Sequence, residues 1–88
     1  MLGSNDWRLQ GQEAYLRGEI LFYKRYADRK TKADHDHCEF CWDKFSDTIA
    51  DTLKVGYTTA DNYRWICAKC FEDFKQKLQF TIGNKNQD

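Results

Sequence analysis

A small single-domain α+β fold is what this chain of 88 residues predicts, on three observations. Its four cysteines stand in two C-x-x-C pairs, Cys38-Glu39-Phe40-Cys41 and Cys67-Ala68-Lys69-Cys70. Between the pairs, apolar and other residues alternate with the period of a strand. Outside them, towards both ends of the chain, apolar residues recur at the spacing of a helix.

The first element expected is a helix over residues 7–27. Asp6 is placed to cap it, because a short side-chain oxygen can accept from the exposed amides of the first turn. Leu9, Leu16, Ile20, Tyr23 and Ala27 fall near one face, and Tyr15, Phe22 and Tyr26 widen it. Gly11 and Gly18 oppose it, each costing about 1 kcal/mol relative to alanine in a helix interior. A polar connector then leads to Asp34-His35-Asp36-His37 and the first cysteine pair. Phe45 follows Cys41 by four residues, a position from which an aromatic can pack beneath the cysteine loop or fill the core.

Leu53-Lys54-Val55-Gly56-Tyr57-Thr58 and Tyr63-Arg64-Trp65-Ile66 read as two strands joined by the turn-forming Thr59-Ala60-Asp61-Asn62. This hairpin delivers Cys67. Phe71, Phe74, Leu78 and Ile82, spaced by 3, 4 and 4, mark an amphipathic helix from roughly Lys69 to Phe80. Gly83 is its expected stop, and residues 83–88 form a frayed tail.

Two residues between thiols let both sulfurs turn towards one point, and two such loops supply the corners of a tetrahedron. Cys38, Cys41, Cys67 and Cys70, with 25 residues between the inner pair, are therefore the ligands expected for one structural Zn²⁺, at Zn–S distances of about 2.3 Å. Small chains bury little surface, and a metal that staples residues 34–82 compensates for that. A Cys₄ set leaves no open coordination position, so catalysis by the metal is not expected. Iron held by the same four thiolates, an iron–sulfur cluster, two disulfides and a thiol redox pair are the competing readings.

Basic and acidic residues balance at 14 each, and four thiolates around a divalent ion tip the loaded protein to slightly acidic. That disfavours generic binding of phosphate backbones. No apolar run is long enough to span a bilayer, and Met1 to Asp6 lacks the features of a secretory signal. The expected compartment is the cytoplasm, where cysteines stay reduced.

His35 and His37 are candidates to hydrogen-bond the metal's ligands or a nearby carbonyl, with the flanking aspartates shaping the turn. A second, exposed metal on Asp34, His35, Asp36 and His37 is the alternative. Arg25, Arg29 and Lys30, within a basic run from Lys24 to Lys32, form either a solvated surface or a phosphate contact. Trp42 and Trp65, with Tyr57 and Tyr63, offer stacking area for bases or a protein interface if exposed.

The segments from Trp7 to Gly18, from Asp34 to Cys41 and from Trp65 to Lys75 together resemble a group of small bacterial zinc-binding proteins without an established activity. The order of cysteine loop, hairpin and helix-borne cysteine pair also resembles a treble-clef zinc finger. The resemblance implies the metal-ligand role of the four cysteines and no substrate or partner residue. A non-enzymatic module that binds another protein, as an adaptor, inhibitor or immunity-type protein, is the expected function; a nucleic-acid-binding zinc finger is the alternative.

Overall fold

The computed structural model describes residues 8–32 and 34–83. In chain order the elements are helix α1 (Glu13–Leu16), strand β1 (Ile20–Arg25), a 3-10 turn (Tyr26–Asp28), and strands β2 (Asp36–His37), β3 (Lys44–Phe45), β4 (Val55–Thr58) and β5 (Trp65–Ile66). Helix α2 (Ala68–Phe74) and strand β6 (Thr81–Ile82) complete it. One sheet has the order β5-β4-β1-β6, with β1 antiparallel to β4 and parallel to β6; β2 and β3 pair separately as a short antiparallel hairpin. No helix among the described residues is long and apolar enough to cross a membrane.

The helix expected over residues 7–27 is corrected to the four residues of α1 followed by a strand. Gly11 and Gly18 adopt φ of 107° and 78°, a backbone region open to glycine and foreign to an L-residue helix. Gly18 stands just past the helix cap, Arg17, and its N–H turns to the Leu78 carbonyl (2.7 Å) instead of continuing the helix. Beyond it, Ile20-Leu21-Phe22-Tyr23 are strand formers, and their backbone finds partners on both sides. Phe22 to Arg25 register with Thr58 to Val55, and Ile20 and Leu21 with Thr81 and Ile82. Tertiary pairing decides against a helical period that these residues also satisfy. Asp6 and Trp7 lie outside the described residues.

The hairpin expected between the cysteine pairs forms with shorter strands, Val55–Thr58 and Trp65–Ile66 in place of 53–58 and 63–66, with Tyr57 opposite Ile66 and Thr58 opposite Trp65. Its turn is held by Asn62, which is buried at φ 61°, a conformation asparagine tolerates better than most residues. The Asn62 side-chain oxygen accepts from Lys24 Nζ (3.1 Å) and the Lys30 amide (2.9 Å), its Nδ2 donates to Thr59 O (3.2 Å), and its carbonyl accepts from Trp65 Nε1 (3.1 Å). One side chain thus joins the turn, β1 and the connector. Replacing Asn62 by leucine strands these groups and is expected to cost about 2–3 kcal/mol, read as a lowered urea midpoint at unchanged slope.

Helix α2 is shorter than the 69–80 expected. Its last turns run on to Gln79, whose φ of 60° reverses the chain, and Phe80 N–H closes the end on Lys75 O (2.9 Å). That six-to-one bond around a left-handed residue is how helices commonly terminate, although glycine is the usual occupant. Ile82, assigned to the helix face by its spacing, belongs instead to β6 and is exposed. Gly83 is not a helix stop: its N–H donates to Leu21 O (2.7 Å) and extends the β1–β6 pairing. The rest of the expected frayed tail, 84–88, lies outside the described residues.

The core is aromatic. Tyr26, Phe45 and Trp65 form one fully buried group, with ring centroids 4.9–5.9 Å apart. Phe40 packs on Phe74 at 4.8 Å, and Phe71 stacks on Tyr57 at 3.8 Å, nearly parallel. Such pairs contribute about 0.5–1.5 kcal/mol each beyond the area they bury. The Phe45 ring presses so close to the sheet that a Cβ at Gly56 would stand 2.6 Å from it.

Candidate metal centre

The cysteines arrive on two different supports. Cys38 follows β2, and the chain turns back through Cys41 into β3, closed by bonds from Cys38 N–H to Asp43 O (2.7 Å) and from Trp42 N–H to Cys38 O (3.1 Å). Trp42 completes this turn at φ 69° and is left 64% exposed. Cys67 ends β5 and caps α2, its sulfur accepting the Cys70 amide (3.4 Å) where an oxygen would ordinarily serve. Cys70 then lies in the first turn of α2. The two supports are tied by the Glu39 amide on Trp65 O (2.9 Å) and the Cys67 amide on Cys38 Sγ (3.4 Å).

All four sulfurs lie within 4.8 Å of one another, and three of the four residues are buried. Cys41 and Cys67 sulfurs are 3.6 Å apart, far beyond the roughly 2.05 Å of a disulfide, and the four cysteines are free thiols. Sulfurs on a tetrahedron around an ion at about 2.3 Å are about 3.8 Å apart, so the cluster is sized for one metal ion. Among the described residues no other group of three or more metal-ligating side chains gathers in this way. The second exposed metal considered for Asp34, His35, Asp36 and His37 therefore has no assembled ligand set.

Charge in the metal-free cluster is uneven. Hydrogen bonds from the Cys67 and Cys70 thiols hold Cys38 far below the ordinary thiol range. The same bonding to Cys38 pushes Cys70 well up, and burial pushes Cys41 up to about 12. At neutral pH Cys41 and Cys70 thus keep their protons until a cation displaces them. Metal uptake is expected to release two or more protons per ion. The metal-bound form holds fewer protons than the free form, so affinity falls as pH falls. Calorimetric titration in buffers of different ionisation enthalpy measures the number; uptake with no proton release would exclude the thiols as ligands.

Groups reaching the sulfurs from outside differ from those expected. The Phe40 and Cys67 amides donate to Cys38 Sγ, each at 3.4 Å. Arg8 reaches Cys70 Sγ at 3.5 Å, bonds Asp73 at 2.9 Å and lies over the Phe74 ring at 4.5 Å. Its bond to Asp73, aided by Lys69, holds that carboxyl below the usual carboxylate range. Gln12, buried, donates to both Arg8 O and Glu39 O at 2.7 Å and so fastens the N-terminal segment to the first cysteine loop. No spacing rule points to Arg8, because its contact closes across 62 residues. His35 instead sits 3.3 Å from Asp34, and His37 packs between the His35 and Trp42 rings at 5.1 and 5.9 Å.

The expected binding surface divides. Trp65 is fully buried and is corrected from surface to core, because its indole packs against the Tyr26 and Phe45 rings and bonds Asn62 O. Arg25 is spent on a two-pronged bond to Asp28, and Arg29 on Asp47 (3.3 Å) and the Tyr26 ring (4.3 Å). Lys30 remains exposed, its backbone amide on Asn62. Tyr57 is stacked on Phe71, while Trp42 and Tyr63 stand exposed. Comparison of the chain with protein-family models, curated proteins and solved structures finds no match.

Proposed function

We propose that this chain is a non-catalytic zinc-binding domain, treble-clef-like in plan, whose metal fixes the shape of a protein–protein interaction surface. The observation that carries the reading is the closed set of four sulfurs within 4.8 Å. A soft tetrahedral thiolate site selects Zn²⁺ or iron–sulfur chemistry, and a lone ion in a cavity of this size is best served by Zn²⁺. With every ligand position filled by protein, the metal has no place for water or substrate, so its role is structural. Hairpin β2–β3, hairpin β4–β5 and the cysteine-capped α2 follow the treble-clef order, and the resemblance to small bacterial zinc-binding proteins agrees with it.

Protein binding is favoured over nucleic acid by how the surface is used. Arg25 and Arg29, the cations a phosphate backbone would need, are paired with Asp28 and Asp47. Exposed Trp42 and Tyr63 are of the residue types that anchor protein interfaces. An adaptor, inhibitor or immunity-type role suits a module this small. The test is affinity capture with the metal-loaded protein: a discrete protein partner, retained after nuclease and lost on chelation, is expected. Salt-sensitive binding to generic DNA or RNA, weakened by Arg25→Glu with Arg29→Glu and Lys30→Glu, would replace this reading with the nucleic-acid one.

A further inference from the structure

A groove of about 220 Å³ opens beside the metal centre, with Gln12, Tyr15, His37, Cys38, Glu39 and Trp42 among its walls. The geometry points to recognition of a cation there: an arginine side chain on a basic segment of the partner protein, held against Trp42 and Tyr15 and bonded by the Glu39 carboxylate. This assignment rests on the interaction-module reading above and names the chemistry of its partner.

Three observations carry it. Trp42 takes a positive φ to complete the cysteine-loop turn, which sets its side chain outward: it is 64% exposed, with the His37 ring beside it at 5.9 Å. An indole face is also the strongest aromatic platform for a cation. Glu39 supplies a carboxylate, one oxygen of which is shared with Arg64 at 3.5 Å. Its backbone is pinned on both sides, by Trp65 O and by Gln12 Nε2, so its position is fixed before any ligand arrives. Tyr15 Oη and Arg64 both donate to Oε1, leaving Oε2 without a donor among the described residues. Cys38, in the same wall, brings the negative field of a metal–thiolate centre to the groove.

The chain already shows the pairing once. Arg64 lies over the Tyr15 ring at 4.0 Å and 3.5 Å from Glu39 Oε1, yet is not part of the groove wall. A second guanidinium entering the groove would meet the same kinds of group, together with the Trp42 face. A phosphate entering there would meet a carboxylate and the thiolate centre instead, which argues against a nucleic-acid strand.

The probe is N-acetyl-arginine amide, titrated into the metal-loaded protein and followed by the Trp42 indole N–H and the Glu39 amide in NMR spectra. Saturable shifts confined to groove residues are expected, with N-acetyl-glutamate amide giving none. Trp42→Ala and Glu39→Gln are each expected to weaken binding roughly tenfold. Trp42 is exposed, so Trp42→Ala stays folded and keeps the test decisive even where Glu39→Gln disturbs the cysteine loop. Absent shifts with the arginine probe, or shifts of Trp42 with a thymidine decamer instead, would overturn the assignment. A partner protein captured equally by wild type and Trp42→Ala would overturn it while leaving the interaction-module reading intact; failure to capture any protein would sink that reading itself.

Discussion

Chelation of the bound metal is expected to unfold at least residues 38–70. The two cysteine pairs sit on separate supports, one on the β2–β3 hairpin and one on β5 and α2, joined by few direct bonds. Strands β2, β3 and β5 are two residues each, too short to hold their pairing alone. Metal binding at structural Cys/His sites in zinc-finger peptides is worth roughly 10–16 kcal/mol, as much as or more than the entire stability of an ordinary small domain. Removing it also leaves thiols in a buried site where Cys38 carries the charge and Cys70 strongly resists ionisation. Circular dichroism and amide NMR after chelation would show loss of the β4–β5 and α2 signals. A metal-free protein that keeps its dispersed spectrum and unfolds cooperatively would contradict this.

Replacing each of the two central tryptophans by alanine should give opposite results. Trp65 is fully buried between Tyr26 and Phe45, and its indole N–H is bonded to Asn62 O. Trp65→Ala leaves a large cavity and an unpaired carbonyl, at an expected cost of about 3–5 kcal/mol. Trp42 is mostly exposed, and Trp42→Ala is expected to change stability by no more than about 0.5 kcal/mol. Urea unfolding of the metal-loaded variants measures both. Equal effects would mean that the cysteine loop and the core are not arranged as described.

That contrast also marks what could be read from the residues alone. The gathering of the four cysteines and the β4–β5 hairpin were legible because spacing and strand period are local signals. Trp42 and Trp65 both lie one or two residues from a cysteine, and local sequence cannot say which one faces inward; pairing of β5 with β4 and with Cys38 decides it. The segment Ile20 to Tyr23 satisfied a helical period and a strand composition together. Partners 61 residues away, at Thr81 and Ile82, settle it as a strand, and Gly11 and Gly18, both with positive φ, bound the short helix before it on either side. Arg8 at Cys70 and Gln12 at Glu39 were invisible for the same reason: long-range contacts made by polar side chains leave no periodicity.

Native mass spectrometry of the protein purified without added metal or chelator weighs whatever the four sulfurs hold. One zinc ion per chain, with the mass of the protons its thiolates have given up missing, is the result predicted by four free cysteines gathered within 4.8 Å. A metal-free mass, or one lowered by the hydrogens lost in forming two disulfides, would contradict it.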